Sequence, residues 1–395
     1  MNDQTLPQPG LIILFGSGET SPTGRKIFER VFRSLPPSPR IALLETPAGF
    51  ELNSHQVISQ VGDFFTHRLQ NYAPEVQIIP ARMRGTQYSP DNPEIVAPLL
   101  DADLIFMGPG SPSYAIRQLQ DSLAWDYLVA RHHLGAVLAL ASAATVAFSA
   151  SALPVYEIYK VGEDLHWIQG LDFFGLYGLQ LVLIPHWNNQ EGGAELDTSR
   201  CFMGQERFVR LIDMLPAEMT IIGLDEKTAL IMDLSRCECQ VMGLGKVTLI
   251  HKDHKHHDKA HLYSSAGKLT NVTGTNDDLA KITKQRSGHF HEYLHGQYFP
   301  MSEIGNYQPL IPEATLPTAV WQKAIYSKHF MEREGPLTPT NEVAQLIRAR
   351  QEARKASNWA IADELRIQIE KSGWEVLDTK EGPVSRKLPK LKNNN

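Results

Sequence analysis

Five short runs in this chain are apolar at nearly every position: LIILF at 11–15, IALL at 41–44, VQII at 76–79, LIFM at 104–107 and AVLAL at 136–140. A strand buried on one face alternates apolar and polar residues. A strand apolar throughout has to be covered on both faces. Helical patterns fall between these runs, at 23–34, 54–71, 113–120 and 124–131. That alternation predicts an α/β fold, a three-layer α/β/α sandwich around a mostly parallel sheet. Later apolar runs, at 180–184, 219–222, 229–232 and 246–250, are expected to complete the sheet.

A single core rarely grows beyond roughly 250–300 residues, so a chain of 395 residues should hold more than one unit. Residues 1–255 are expected to form the α/β domain. The texture changes at His251, where HKDHKHHDKAH is charged and rich in histidine, and 256–335 reads as a His-rich linker with irregular structure. Residues 336–395 form a separate helical module. The whole chain is 42% hydrophobic with a net charge of -6, which fits a globular protein and argues against general nucleic-acid binding. Three cysteines fit a reducing compartment, and the N-terminus MNDQTLPQPG lacks the pattern of a signal peptide. The longest mostly apolar run, 136–144, falls well short of the ~18 residues of a membrane span. A soluble, cytoplasmic protein without membrane partners is expected.

Ligands of a parallel α/β sheet gather beyond the carboxyl ends of its strands. AVLALASAATVAFSAS puts Ser142 where a buried strand stops and a small-residue helix begins, the setting of a nucleophile elbow. Ala141, Ala143 and Ala144 are small enough for so tight a corner. A serine hydroxyl needs a base. His186, in LVLIPHWNN, follows another buried run and is placed to reach the same rim. A carboxylate should orient that histidine. Glu157 lies between the two, and Glu163 and Asp164 are its rivals. An oxyanion would need N–H donors, which Gly110 and Ser111 offer after LIFM; Pro109 offers none. Any one of these residues alone has a plainer reading, since a serine after a strand is more often a helix N-cap. Their order along the chain favours the functional one.

Other chemistries fare worse. Cys201 lacks an elbow setting, and Cys237-Glu238-Cys239 lacks the second half of a structural zinc site. The histidines at 251, 254, 256, 257 and 261 read as a solvated tether. Gly16-Ser17-Gly18-Glu19 is neither G-x-G-x-x-G nor a Walker loop, and Asp225-Glu226 reads as a cap or turn between late strands. No metal and no cofactor are expected.

LIILFGSGE, LIFMGPGSPSYAIRQL, the ASAAT corner, GLDFFGLYGLQLVLIPHWNN, IIGLDEKTALIMD and VMGLGKVTLI together resemble the cyanophycinase and aspartyl dipeptidase (peptidase E) family of serine peptidases. The resemblance implies the class I glutamine amidotransferase-like fold and cleavage of an amide or peptide bond in a small substrate. It also implies Ser142 as nucleophile, His186 as base, Glu157 as acidic partner, and oxyanion donors near Gly110 and at Ala143. The chain departs from the family at Leu140 and Ala144, where glycine is usual. It also lacks the arginine-rich stretch after the histidine, for which Arg200 and Arg207 would substitute as substrate-binding residues.

At the other end, 341–356 and 358–372 carry helical patterns, with Asn341 as N-cap and Gly373 just past the second helix. Val343, Leu346 and Ile347 form one apolar stripe, and Trp359, Ala362, Leu365 and Ile369 another. Residues 341–382 are similar to the C-terminal tail of bacterial cysteinyl-tRNA synthetases, through Leu346-Ile347, Arg350, Glu352 to Ala356, Trp359-Ala360, Ala362-Asp363, Arg366 and Gly373. The resemblance implies an alternative in which the chain is a tRNA-associated binding protein. Arg350, Arg354, Lys355 and Arg366 would then share a phosphate-contacting face. No other part of a synthetase is present. Residues 336–395 hold 11 Lys or Arg against 8 Asp or Glu, a mild excess of three. A docking element, with a homodimer as one outcome, is the remaining alternative.

Overall fold

The computed structural model describes residues 8–252, 289–334, 341–356, 358–372, 374–379 and 382–387. The chain divides into two units, residues 1–326 and 327–395. The histidines at 254, 256, 257 and 261, and Gly373, lie outside the described residues.

The first unit carries fourteen described strands. They are β1 (Ile12–Phe15), β2 (Arg40–Leu44), β3 (Glu75–Ile79), β4 (Leu104–Met107), β5 (Val137–Ala141), β6 (Ser151–Ala152), β7 (Ile168–Gln169), β8 (Leu181–Ile184), β9 (Thr220–Leu224), β10 (Thr228–Asp233), β11 (Glu238–Gly243), β12 (Lys246–His251), β13 (His289–Leu294) and β14 (Tyr298–Pro300). The helices up to the end of β9 are α1 (Pro22–Phe32), α2 (Ser54–Arg68), α3 (Pro93–Val96), α4 (Pro112–Leu119), α5 (Leu123–His133), α6 (Ala143–Ala147) and α7 (Gly204–Met214). The main sheet runs β14-β11-β10-β1-β5-β4-β2-β3. It is parallel from β1 to β3, and antiparallel outward through β10, β11 and β14.

Strand alternation sorts the core into two layers. Ile13 and Phe15 of β1 join Phe28 of α1, Phe65 of α2 and Phe106 of β4 on one face. Ile12 and Leu14 face the other way, toward Ala115 of α4, Leu128 of α5 and Ala144 of α6. The aromatic rings on the first face pack edge to face, with Phe28 and Phe65 at 4.8 Å and Phe65 and Phe106 at 6.0 Å. Serines stop the loops and start the helices: Ser21, Ser111 and Ser122 each accept a main-chain N–H of the helix that follows.

The late strands depart from expectation. Of the four expected to complete the sheet, only β10 does. β8, β9 and β12 form a second sheet with β13, ordered β13-β12-β9-β8. The chain passes from one sheet to the other at the turn 225–227, between β9 and β10. Both strands are buried along nearly their whole length, so their residues do not reveal which neighbour each will take. The expected linker also differs. Within it, His289–Leu294 pairs with β12 and Tyr298–Pro300 with β11, and helix Thr318–Glu334 follows. These strands lie at sheet edges, with few buried residues to mark them.

A buried polar knot lies where α5 meets the chain entering β1. His132 bonds Tyr177 Oη at 2.8 Å through Nδ1 and the Gly10 carbonyl at 2.9 Å through Nε2. Burial pushes its pKa down to about 3, with His133 adding to the shift. Below the unfolded value near 6.5, the unfolded chain takes a proton that the native imidazole refuses. Stability should therefore fall as pH drops from about 6.5 toward 3, by up to about 1.4 kcal/mol per pH unit from this group. His132→Gln should flatten the curve of Tm against pH in that window, whatever it does to Tm at pH 7. Parallel curves for the two proteins would remove His132 as the source.

The second unit has the expected pair of helices, Asn341–Lys355 and Trp359–Lys371. They are followed by a β-hairpin, Trp374–Thr379 with Gly382–Lys387, that helical periodicity did not announce. Val343, Ile369, Trp374 and Val376 form its core, with Leu346 and Ile347 against it. Trp359 is not in that core: it is 57% exposed, with the Arg354 guanidinium 5.3 Å from its ring centre. Arg350 is buried and so does not share an exposed basic face with its neighbours. Lys355 pairs with Glu352 at 2.8 Å, and Arg366 with Glu370 at 2.9 Å. Among the described residues, no helix is long and apolar enough to cross a membrane.

Candidate active site

Ser142 stands between β5 and α6 with φ 52° and ψ −115°. Few side chains adopt that backbone, and it persists only where the surroundings over-determine it. Here the constraints come from both sides. β5 is hydrogen-bonded between β1 and β4, and the Ala144 N–H reaches the Gly108 carbonyl at 3.4 Å. Leu140 and Ala144, which stand where the family that the sequence resembles usually has glycine, are both fully buried and fill the core beneath the corner. The corner forms without either glycine because the positive φ falls on Ser142 itself.

His186 also has a positive φ, 50°. Its main chain is held from two directions. Its N–H donates to the Gly16 carbonyl at 3.0 Å, and its carbonyl accepts from Cys201 at 3.2 Å and from Asn189 at 3.2 Å. Gly16 is needed for a second close approach, that of the 225–227 turn: a Cβ there would lie 2.1 Å from the Asp225 carbonyl oxygen.

The side chains then meet in a line. Ser142 Oγ lies 3.0 Å from His186 Nε2. His186 Nδ1 lies 3.0 Å from Oε1 of Glu226, which also accepts from Asn189 Nδ2 at 2.9 Å. The bond from His186, then that from Asn189, hold the Glu226 carboxyl below the usual carboxylate range against partial burial. Glu226 sits in the sheet-to-sheet turn, and its N–H donates to Asn188 Oδ1 at 2.8 Å. Thus the Gly16 loop, the Pro185–Asn189 segment and the 225–227 turn converge on one rim.

Glu157 is not the histidine's neighbour. It opens a π-helix, Glu157–Val161, and accepts a hydrogen bond from the Ser113 hydroxyl. Glu163 is directed to His166 at 3.7 Å, and the Asp164 carbonyl also faces His166. The carboxylate that reaches His186 comes 40 residues after it, in the Asp225-Glu226 pair. Asp225 does serve the turn, accepting from Lys246 N at 3.0 Å through Oδ2. Glu226 could have been found from its position between two apolar runs whose ends share the rim, but only with the second sheet known.

Of the two expected donors after β4, the Ser111 N–H already bonds the Pro47 carbonyl at 3.0 Å. Among the described residues, the N–H groups of Gly110 and Ala143 have no acceptor. Gly110 adopts φ 146°, and a Cβ there would lie 2.0 Å from the Pro47 oxygen.

Arg200 and Arg207 hold main chain. Arg200 lies 4.0 Å over the Trp187 ring and donates to the Trp187 carbonyl at 2.8 Å; burial lowers its pKa to about 10. Arg207 donates to the carbonyls of Met203 at 2.6 Å and Phe202 at 2.9 Å. Together they brace a turn in which Arg200, Cys201 and Phe202 all have positive φ. Burial drives the Cys201 thiol up to about 12, so it holds no thiolate near neutral pH. Glu19, after β1, is also pushed up by burial, against the pull of its own N–H and of His186.

Comparison with solved structures finds this architecture in a peptidase from an acI-B1 Actinobacterium. The two share 19% identity over 75% of this chain and 98% of that one, with a TM-score of 0.53. A candidate peptidase E protein from Listeria monocytogenes EGD-e aligns over 60% of this chain and all of that one, at 15% identity and a TM-score of 0.40. No family model matches the sequence, and no curated protein does.

Proposed function

We propose that this chain is a serine-type hydrolase of an amide or peptide bond in a small substrate. The observation that carries the reading is the unbroken line Ser142–His186–Glu226, with both contacts at 3.0 Å and Ser142 raised on a strained strand-to-helix corner. Its fold is also that of a solved peptidase. Ser142 Oγ attacks the scissile carbonyl as His186 Nε2 takes its proton. Glu226 keeps the Nδ1–H tautomer and stabilises the imidazolium. The N–H groups of Gly110 and Ala143 receive the oxyanion. The imidazolium then protonates the leaving amine, and water, deprotonated by His186, releases the acyl group. The chemistry needs no metal or cofactor.

A fluorophosphonate probe tests this directly. Wild type should label and Ser142→Ala should not. Equal labelling of the two would place the reactive group at another residue, and labelling of neither would count against a serine hydrolase at Ser142.

A further inference from the structure

At the end of the sheet opposite Ser142 lies a cavity of about 630 Å³. It is bounded by the chain entering β1, the end of α1, the turn before β5, the β10–β11 hairpin and β14. The five residues of β5, about 16 Å at strand rise, lie between it and Ser142. None of Ser142, His186 and Glu226 lines it.

Strand alternation supplies an apolar floor. Leu11, Val137 and Ile231 face the α1 side of the sheet, and Val31 and Leu35 of α1 pack over them. Four charged side chains stand around that floor: Arg30 of α1, Asp233 at the end of β10, Arg236 in the turn and Glu238 at the start of β11. Asp233 and Glu238 are cross-strand partners, so two carboxylates share one face directly opposite each other. Like charges so placed repel. Arg236 offsets this only loosely: it is 3.9 Å from Glu238, with its side chain 71% exposed. Asp233 is nonetheless fixed in place. Its Oδ1 accepts from Ser235 N at 3.1 Å, Ser235 Oγ at 2.7 Å and Arg236 N at 3.1 Å, while its Oδ2 accepts nothing among the described residues. On the facing wall, the Arg30 side chain has neither an ion pair nor a hydrogen bond among the described residues.

We propose that this cavity binds a free amino acid or dipeptide with an apolar side chain. The ligand's ammonium sits between Asp233 and Glu238, its carboxylate on the Arg30 guanidinium, and its side chain on the Leu11–Val31–Ile231 floor. The lining holds two cations and two anions, so a zwitterion leaves it balanced, whereas a simple anion or cation does not. Both polar contacts are charge-assisted, and the floor removes apolar surface from water. A few polar groups that fix orientation over an apolar base are the usual make-up of a small-molecule site of this size. Binding here does not depend on hydrolysis at Ser142.

Isothermal titration of the full-length Ser142→Ala chain tests this without turnover. Leucine or leucyl-leucine should bind saturably, with a Kd of about 1 mM or tighter, and the tighter of the two gives the ligand's size. Leucinamide lacks the carboxylate, N-acetylleucine lacks the ammonium, and glycine lacks the side chain. Each should bind at least about tenfold more weakly than leucine. Leucine should lose as much on Arg30→Gln and on Asp233→Asn, the second of which keeps the Oδ1 bonds and removes only the charge. His186→Ala should leave the affinity unchanged. No saturation by either ligand, leucinamide or N-acetylleucine binding as well as leucine, or undiminished affinity in either cavity variant overturns the proposal. So does loss of binding in His186→Ala, which would put the ligand at the catalytic rim. Fluorophosphonate labelling of Ser142 is read separately, so either reading can fail without the other.

Discussion

Glu226→Gln should lower kcat for amide hydrolysis by about 10³–10⁴-fold, as loss of the orienting carboxylate does in other triads. A glutamine can occupy the space and keep the bond from Asn189, which now reaches Glu226 at 2.9 Å. It cannot hold the histidine's Nδ1–H with a charge, and it can stabilise the wrong tautomer by donating to Nδ1 instead. The loss should fall on kcat, because the imidazolium forms only as Ser142 attacks. Steady-state kinetics on the two glutamine variants, Glu226→Gln and Glu157→Gln, decide between the carboxylates. A Glu226→Gln enzyme within tenfold of wild type, beside a crippled Glu157→Gln enzyme, would return the orienting role to Glu157.

Gly110→Ala is expected to cost about 10²–10³ in kcat, the scale of losing one oxyanion donor. The added methyl would lie 2.0 Å from the Pro47 oxygen, and φ 146° is itself unfavourable for alanine. The loop has to move, and the Gly110 N–H moves with it. Circular dichroism and Tm should show a folded protein, since the main sheet does not depend on this loop for its pairing. The decisive comparison is kcat against Ser142 labelling by a small probe. Turnover within threefold of wild type would mean that Gly110 is not a donor.

The sandwich was legible because β1, β4 and β5 are apolar at every position, β2 at all but its first, and helical stripes separate the runs; only coverage on both faces satisfies such strands. The positions of Ser142 and His186 were legible for a related reason. Each stands just beyond an apolar run, and strand ends of a parallel sheet share one rim. Glu157 lies between Ser142 and His186 along the chain, and position along the chain says little about distance across a sheet.

Tertiary structure alone decided that β8, β9 and β12 leave the main sheet, and so that Glu226 arrives beside His186. It also decided that Arg200 and Arg207 bind main-chain carbonyls, and that Arg350 is buried while Trp359 is not. The physical reason is common to all of these. Local periodicity dictates which face of an element is dry, whereas the choice of partner for a strand edge or a long polar side chain depends on what other segments bring within hydrogen-bond reach.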